Sequence, residues 1–148
     1  MRQYIVDTFA PKPFTGNPAA VCVMDAWPSD DSMKLLAREN SLSETAFLVG
    51  GDGRYRLRWF TPGTEVELCG HATLASAFTI MELVEPGIPE VRFDTMSGEL
   101  VVRREGAVFT MDLPVRARGD PRYRRHGEGL RGPSLPCRAG SRPHLRVR

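Results

Sequence analysis

The sequence predicts an α+β fold, a strand barrel or strongly curved mixed sheet wrapped around one central apolar helix. Three observations predict it. From His71 to about Val84 the segment is apolar except for Thr73, Ser76, Thr79 and Glu82, and a helix this apolar is buried on most sides. Seven short β-prone runs separated by turn residues surround it in the sequence. Ala72, Ala75, Ser76 and Ala77 are small enough for strands to pack closely against that helix.

The elements follow in order. Gln3 to Phe9 reads as a strand, and Ala10 to Pro18 as a turn-rich loop with Gly16-Asn17 near its end. Ala19 to Met24 is a second strand. Ser29-Asp30-Asp31 opens a helix with acids at its positive end, and Met33, Leu36, Ala37 and Asn40 form its facing stripe. Thr45 to Val49 and Tyr55 to Phe60 pair as a hairpin across Gly50-Gly51-Asp52-Gly53. After the apolar helix, Val91 to Thr95, Glu99 to Arg103 and Ala107 to Asp112 are three strands joined at Ser97-Gly98 and Glu105-Gly106.

Composition bounds the function. The chain has 148 residues, 41% hydrophobic and 26% charged, the profile of a soluble globular domain. No apolar run reaches the roughly 18–20 residues that span a bilayer. Asp7 interrupts the first apolar stretch, which is unlike a secretory leader, so a cytoplasmic setting without membrane contact is expected. Cys22, Cys69 and Cys137 are odd in number and lack ligand spacing, which points to neither a disulfide framework nor a metal site.

Charge divides the chain. Residues 1–114 hold ten basic and sixteen acidic side chains, whereas residues 115–148 hold ten arginines and two acids. The expected organisation is a folded lobe, 1–114, and a basic Arg/Gly/Pro-rich tail, 115–148. A nucleic-acid arm is one reading of that tail, but Tyr123 is its lone aromatic and no binding motif accompanies it. A disordered or out-of-frame end is the preferred reading.

Chemistry concentrates at two places. Cys69-Gly70-His71 sits where a loop becomes the apolar helix, and the unpaired N–H groups of a helix start hold carboxylates or developing negative charge. Cys69, a candidate thiol, is expected there with its pKa depressed by the helix start, unless it is simply a small buried residue. On the strand after Ser43, Glu44 shares a face with Ala46 and Leu48. Desolvating a carboxylate adapts it to general acid/base work; the plain alternative is a solvated strand end. His71 could likewise be a satisfied helix-start histidine, and Asn17 no more than a turn residue.

The ordered segments Asp7-Thr8-Phe9, Gly16-Asn17-Pro18-Ala19-Ala20-Val21, Ala37-Arg38-Glu39, Leu42-Ser43-Glu44-Thr45-Ala46-Phe47, Arg58-Trp59-Phe60-Thr61-Pro62, Glu65-Val66, Cys69-Gly70-His71-Ala72-Thr73, Ser97-Gly98-Glu99-Leu100 and Asp112-Leu113-Pro114 resemble the amino-terminal lobe of the PhzF-like isomerases of phenazine biosynthesis. The resemblance implies one lobe of a diaminopimelate-epimerase-like fold, in which two similar lobes enclose the active site. It implies a cofactor-independent proton transfer on a small carboxylic-acid substrate. Glu44 would be the shuttle and His71 its catalytic partner, with Ser43 and Gly70 contacting substrate and Asn17 shaping the pocket. The family's second-lobe groups have no counterpart after Pro114. A lone lobe is therefore expected to self-associate, through the surface that normally faces its twin, and to have little activity by itself. Two rivals remain: an amino-acid epimerase or racemase using Cys69, and a non-enzymatic binding protein.

Overall fold

A computed structural model describes residues 1–12 and 14–113, together with two short strands at 137–138 and 145–147. The expected disorder of 115–148 falls, those two strands apart, outside the described residues. The elements are β1 (Arg2–Thr8), β2 (Asn17–Met24), α1 (Asp30–Asn40), β3 (Glu44–Gly51), β4 (Arg54–Phe60), β5 (Glu65–Val66), α2 (Gly70–Thr79) with a π-helical turn (Ile80–Val84), β6 (Glu90–Thr95), β7 (Gly98–Glu105), β8 (Val108–Met111), β9 (Cys137–Arg138) and β10 (Leu145–Val147). All the strands join one sheet of order β10-β1-β2-β3-β4-β6-β7-β8-β9, with β5 paired to β4. Neighbours are antiparallel except β2 with β3 and β4 with β6, which are parallel.

Both parallel pairs follow from helical crossovers. Helix α1 links β2 to β3 and lies on the outer face, where Met33 and Ala37 pack with Cys22, Phe47 and Phe60. Helix α2 lies in the β4-to-β6 connection and fills the inner face. There Ala72, Ala75, Ala77, Ile80 and Met81 meet Val6, Val21, Leu48, Trp59, Phe93 and Val102. Strands β2 and β3 are thus covered on both faces, so Ala19 to Val23 and Thr45 to Leu48 are buried without alternation.

Local chemistry explains the element ends. Ser29 caps α1 by accepting the Ser32 N–H at 3.2 Å, and the helix stops at Ser41 in a left-handed conformation. The β3–β4 hairpin closes on Asp52 (φ 52°) and Gly53 (φ 70°), both with the positive φ that a two-residue turn of right-handed twist requires. Inside α2 the hydroxyls of Thr73, Ser76 and Thr79 donate to the carbonyls of Cys69, Ala72 and Ala75 at 2.6, 2.7 and 2.9 Å. Three polar side chains are thereby satisfied within an apolar core. At the far end, Glu85 accepts the Gly53 N–H at 2.8 Å and the Tyr55 hydroxyl, tying the end of the helix to the hairpin.

The structure refines several boundaries. The seven expected strands are present, and β5 is an eighth within residues 1–113. Phe9 is not in β1; it turns out of the strand at φ 58°. Of the two expected architectures, the curved sheet holds. Leu74 and Phe78 are half-buried, Phe78 against Phe109 of β8, so among the described residues the sheet covers this stripe of α2 in part. The sheet also has a seam: β4 and β6 register over three residue pairs, Arg54–Arg92 to Arg56–Asp94, against seven for β3 with β4. The outer face beside the seam carries an ion-pair lattice of Arg54, Arg92 and Arg103 with Glu90, Asp94, Glu99 and Asp112. Among the described residues no helix is long and apolar enough to cross a membrane.

Candidate functional site

Two neighbouring strands and one helix start build the site. Asn17 opens β2, Glu44 opens β3 with Ser43 just before it, and Cys69 precedes α2 with Gly70 and His71 in its first turn. The parallel register sets Glu44 beside Ala19. Because Glu44 shares the inner face with Ala46 and Leu48, its carboxylate points toward α2 and reaches the imidazole. Nε2 of His71 lies 3.3 Å from Oε2 of Glu44, with the two side chains 12% and 20% exposed. This is a close contact and not an aligned hydrogen bond, since Glu44 Oε2 is buried without a hydrogen-bond partner among the described residues.

Further polar groups converge on the same ring. Ser43 Oγ is 3.4 Å from His71 Nε2 and 3.5 Å from Asn17 Oδ1. On the opposite edge, Cys69 Sγ is 3.3 Å from His71 Nδ1. All five side chains expected at the site therefore meet at one end of α2. Gly70 opens the helix, and a Cβ there would meet only ordinary contact with Met111 at 3.7 Å. What Gly70 contributes is its backbone, in a first turn whose N–H groups lack intrahelical acceptors.

Supporting residues emerge from the structure that the sequence did not single out as functional. Thr8 donates to the Asn17 carbonyl at 2.8 Å, and Asp7 Oδ2 accepts the Gly16 N–H at 3.4 Å. Gly16 permits this close approach, because a Cβ there would lie 2.2 Å from the Thr8 carbonyl oxygen. Thr73 fixes the Cys69 carbonyl from one helical turn away; its signal was a hydroxyl four residues after the cysteine.

Electrostatics correct one expectation. The Cys69 thiol is not depressed; burial pushes it up to about 11, and the Glu44 carboxylate adds to the rise. The amides of His71 and Ala72 act the other way without reversing the balance, and no side-chain capping hydrogen bond forms. The helix start loses because Cys69 is 8% exposed and a thiolate there would be desolvated. Burial likewise holds His71 below the ordinary histidine value, against the opposing pull of Glu44. The imidazole at neutral pH is therefore uncharged.

A pH dependence follows. Between the lowered folded value and the ordinary unfolded value of about 6.5, the unfolded chain binds the extra proton. Stability should fall as pH drops through that window. Thermal melts of His71→Gln should lose this part of the acid slope. An unchanged slope would show that His71 is not held neutral.

Glu44, Cys69 and His71 place donor atoms within 4.8 Å of one another, close enough to suggest a cation. Yet Cys69 faces Nδ1 and Glu44 faces Nε2, whose lone pairs diverge. One ion could not take the ring and both neighbours without turning the imidazole. The arrangement suits proton transfer better than chelation.

Comparison with known proteins bears on the family and the fold. Residues 6–126 match the model of the family described as phenazine biosynthesis-like protein. An uncharacterized isomerase of Pseudomonas aeruginosa is 59% identical over 111 residues, covering 75% of this chain and 43% of its own length. The human phenazine biosynthesis-like domain-containing protein is 42% identical over 120 residues, covering 76% and 42%. A crystal structure of a phenazine biosynthesis protein of the PhzF family from Enterococcus faecalis superposes with a TM-score of 0.69 at 45% identity, over 73% of this chain and 42% of that one. A predicted epimerase from Pseudomonas aeruginosa superposes at 0.63 with 31% identity, over 73% and 40%. A probable proline racemase from Agrobacterium radiobacter shares the fold alone, at 0.54 with 13% identity, over 75% and 41%. The chain spans less than half the length of the curated relatives it matches.

Proposed function

Because the chain belongs to the phenazine biosynthesis-like protein family, we propose that it is the amino-terminal lobe of a cofactor-independent isomerase. The reaction moves a proton between two carbons of a small carboxylic acid. The observation that carries this reading is the convergence of Glu44, His71 and Ser43 within 3.4 Å at the first turn of α2. In this mechanism the Glu44 carboxylate takes a proton from a substrate C–H. The freed electron pair moves into a new double bond, and the displaced pair takes a proton at a second carbon from the Glu44 carboxyl group, which exchanges its proton with solvent in between. Atoms and electrons are conserved, so no external oxidant or reductant enters. The helix start and the amide of Gly70 favour the substrate carboxylate and the charge that develops on it. His71 and Ser43 position substrate against Glu44.

One lobe offers one wall of such a site, so activity is assigned to the lobe joined to a second one. The test fuses residues 1–113 to the remaining length of the 59%-identical Pseudomonas relative. The fusion is incubated in deuterium oxide with dihydro-hydroxyanthranilic acid and related small acids. Deuterium at the product carbon supports the reading. Isomerisation that needs an added cofactor removes it.

An epimerase reading through Cys69 is disfavoured, since a thiol held at about 11 is a poor base near neutrality. Self-association belongs to the proposal as well. The half-buried stripe of α2 at Leu74 and Phe78 is the apolar surface a second copy would cover further. Sedimentation of the purified chain should show a concentration-dependent dimer. A monomer throughout would remove this part alone.

A further inference from the structure

We infer that Cys69 is a positioning residue that fixes the tautomer of His71, so that the imidazole presents Nε2–H to Glu44 and keeps Nδ1 as an acceptor. The inference deepens the proposed function and rests on Glu44 being the group that carries the proton. Its geometry is asymmetric about the ring. Among the described residues one edge meets a single partner, Cys69 Sγ at 3.3 Å from Nδ1. The other edge meets two oxygens, Glu44 Oε2 at 3.3 Å and Ser43 Oγ at 3.4 Å from Nε2.

A neutral imidazole has one donor and one acceptor nitrogen, and an ionised carboxylate only accepts. The sulfur lies near the helix start but takes no capping hydrogen bond from it. Nδ1, 3.3 Å away, is the acceptor within reach of its proton. Burial keeps that proton on sulfur at neutral pH. With Nδ1 accepting, the ring proton sits on Nε2, on the edge that Ser43 and Glu44 line, in contact with the carboxylate but not aligned on it. The other tautomer would set the Nε2 lone pair against the lone pairs of Glu44.

The consequence for the reaction is specific. An Nε2 that already bears hydrogen cannot accept the proton that Glu44 withdraws from a substrate. The proton is held on the carboxyl group, and the carboxyl group, not the ring, reprotonates the substrate. No bond to sulfur is made or broken, which separates this role from that of an epimerase thiol. It also accounts for a buried, protonated cysteine at the heart of a site that does not use it as a base.

The test reads the ring itself. Long-range ¹H–¹⁵N correlation spectra of the full ¹⁵N-labelled chain at pH 8 should show His71, assigned by its loss in His71→Gln, as the Nε2–H tautomer. Cys69→Ala should shift both ring nitrogens toward values averaged over the two tautomers. Cys69→Ser retains a hydroxyl donor and should restore the Nε2–H pattern, which a merely space-filling role would not predict. A wild-type ring found as Nδ1–H overturns the inference whether or not the variants fold. So does a folded Cys69→Ala with an unchanged ring, or a serine variant that behaves like alanine. The measurement needs no turnover. An inactive fused enzyme with the expected ring pattern would count against the proposed function alone, and an active one with an unchanged ring in Cys69→Ala against this inference alone.

Discussion

Glu44→Gln in the two-lobed fusion should lower turnover by about two to four orders of magnitude, the usual contribution of a positioned general acid/base. Substrate binding should survive within a small factor. Glutamine keeps the length of Glu44 and an oxygen toward His71, but it cannot take up the substrate proton. Deuterium incorporation, the more direct readout, should vanish with turnover. The site is favourable for this experiment because, among the described residues, Oε2 has no aligned hydrogen bond and its near neighbour is an uncharged ring. A Glu44→Gln enzyme that retained activity would move the proton-carrying role to another residue, and the proposed mechanism with it.

The largest effect on stability is expected from Phe47→Ala. Phe47 is fully buried on the outer face of β3, edge-on to Phe60 at 5.5 Å and covered by Met33 and Ala37 of α1. Truncating such a ring costs about 3–5 kcal/mol, a large share of the roughly 5–15 kcal/mol that holds a domain folded. Denaturant unfolding should show that loss, while Leu35→Ala on the exposed side of α1 should lie within about 0.5 kcal/mol of wild type. Similar melts for the two variants would mean that α1 does not seal a second core, and that the sheet is covered on one face only.

Much of this was legible in the sequence because the signals are local. Alternation placed Glu44 with Ala46 and Leu48, and Ser29 with its two aspartates marked the start of α1. The near absence of charge in α2 announced a buried helix. Other features have no local signal. Strand β5 is two residues long, too short for any period, and is held by the Arg58–Glu65 contact at 2.6 Å. The π-helical turn at Ile80–Val84 arises where α2 must meet the Glu85–Gly53 contact. The Cys69 thiol was misjudged for a related reason: the helix start can be read from sequence, but the depth at which the fold buries it cannot. The convergence of Asn17, Ser43 and Glu44 on His71 depends on the parallel register of β2 and β3, which no single segment encodes.

The narrow seam between β4 and β6 has a consequence for how the site is built. It divides the sheet into two leaves, and every side chain of the candidate site belongs to one side of it: Asn17, Ser43 and Glu44 come from β2 and β3, and Cys69 and His71 from the helix start seated against them. The other leaf meets α2 through the shared core at Phe93 and Val102, through Phe109 against Phe78, with ring centroids 5.9 Å apart, and through Met111 near Gly70. Across the seam the leaves are tied on the outer face by Arg54 with Asp94 and Glu99, and inside by the shared core. The spacing of the five polar side chains is thus set within one leaf, and the apolar wall beside them is supplied by the other.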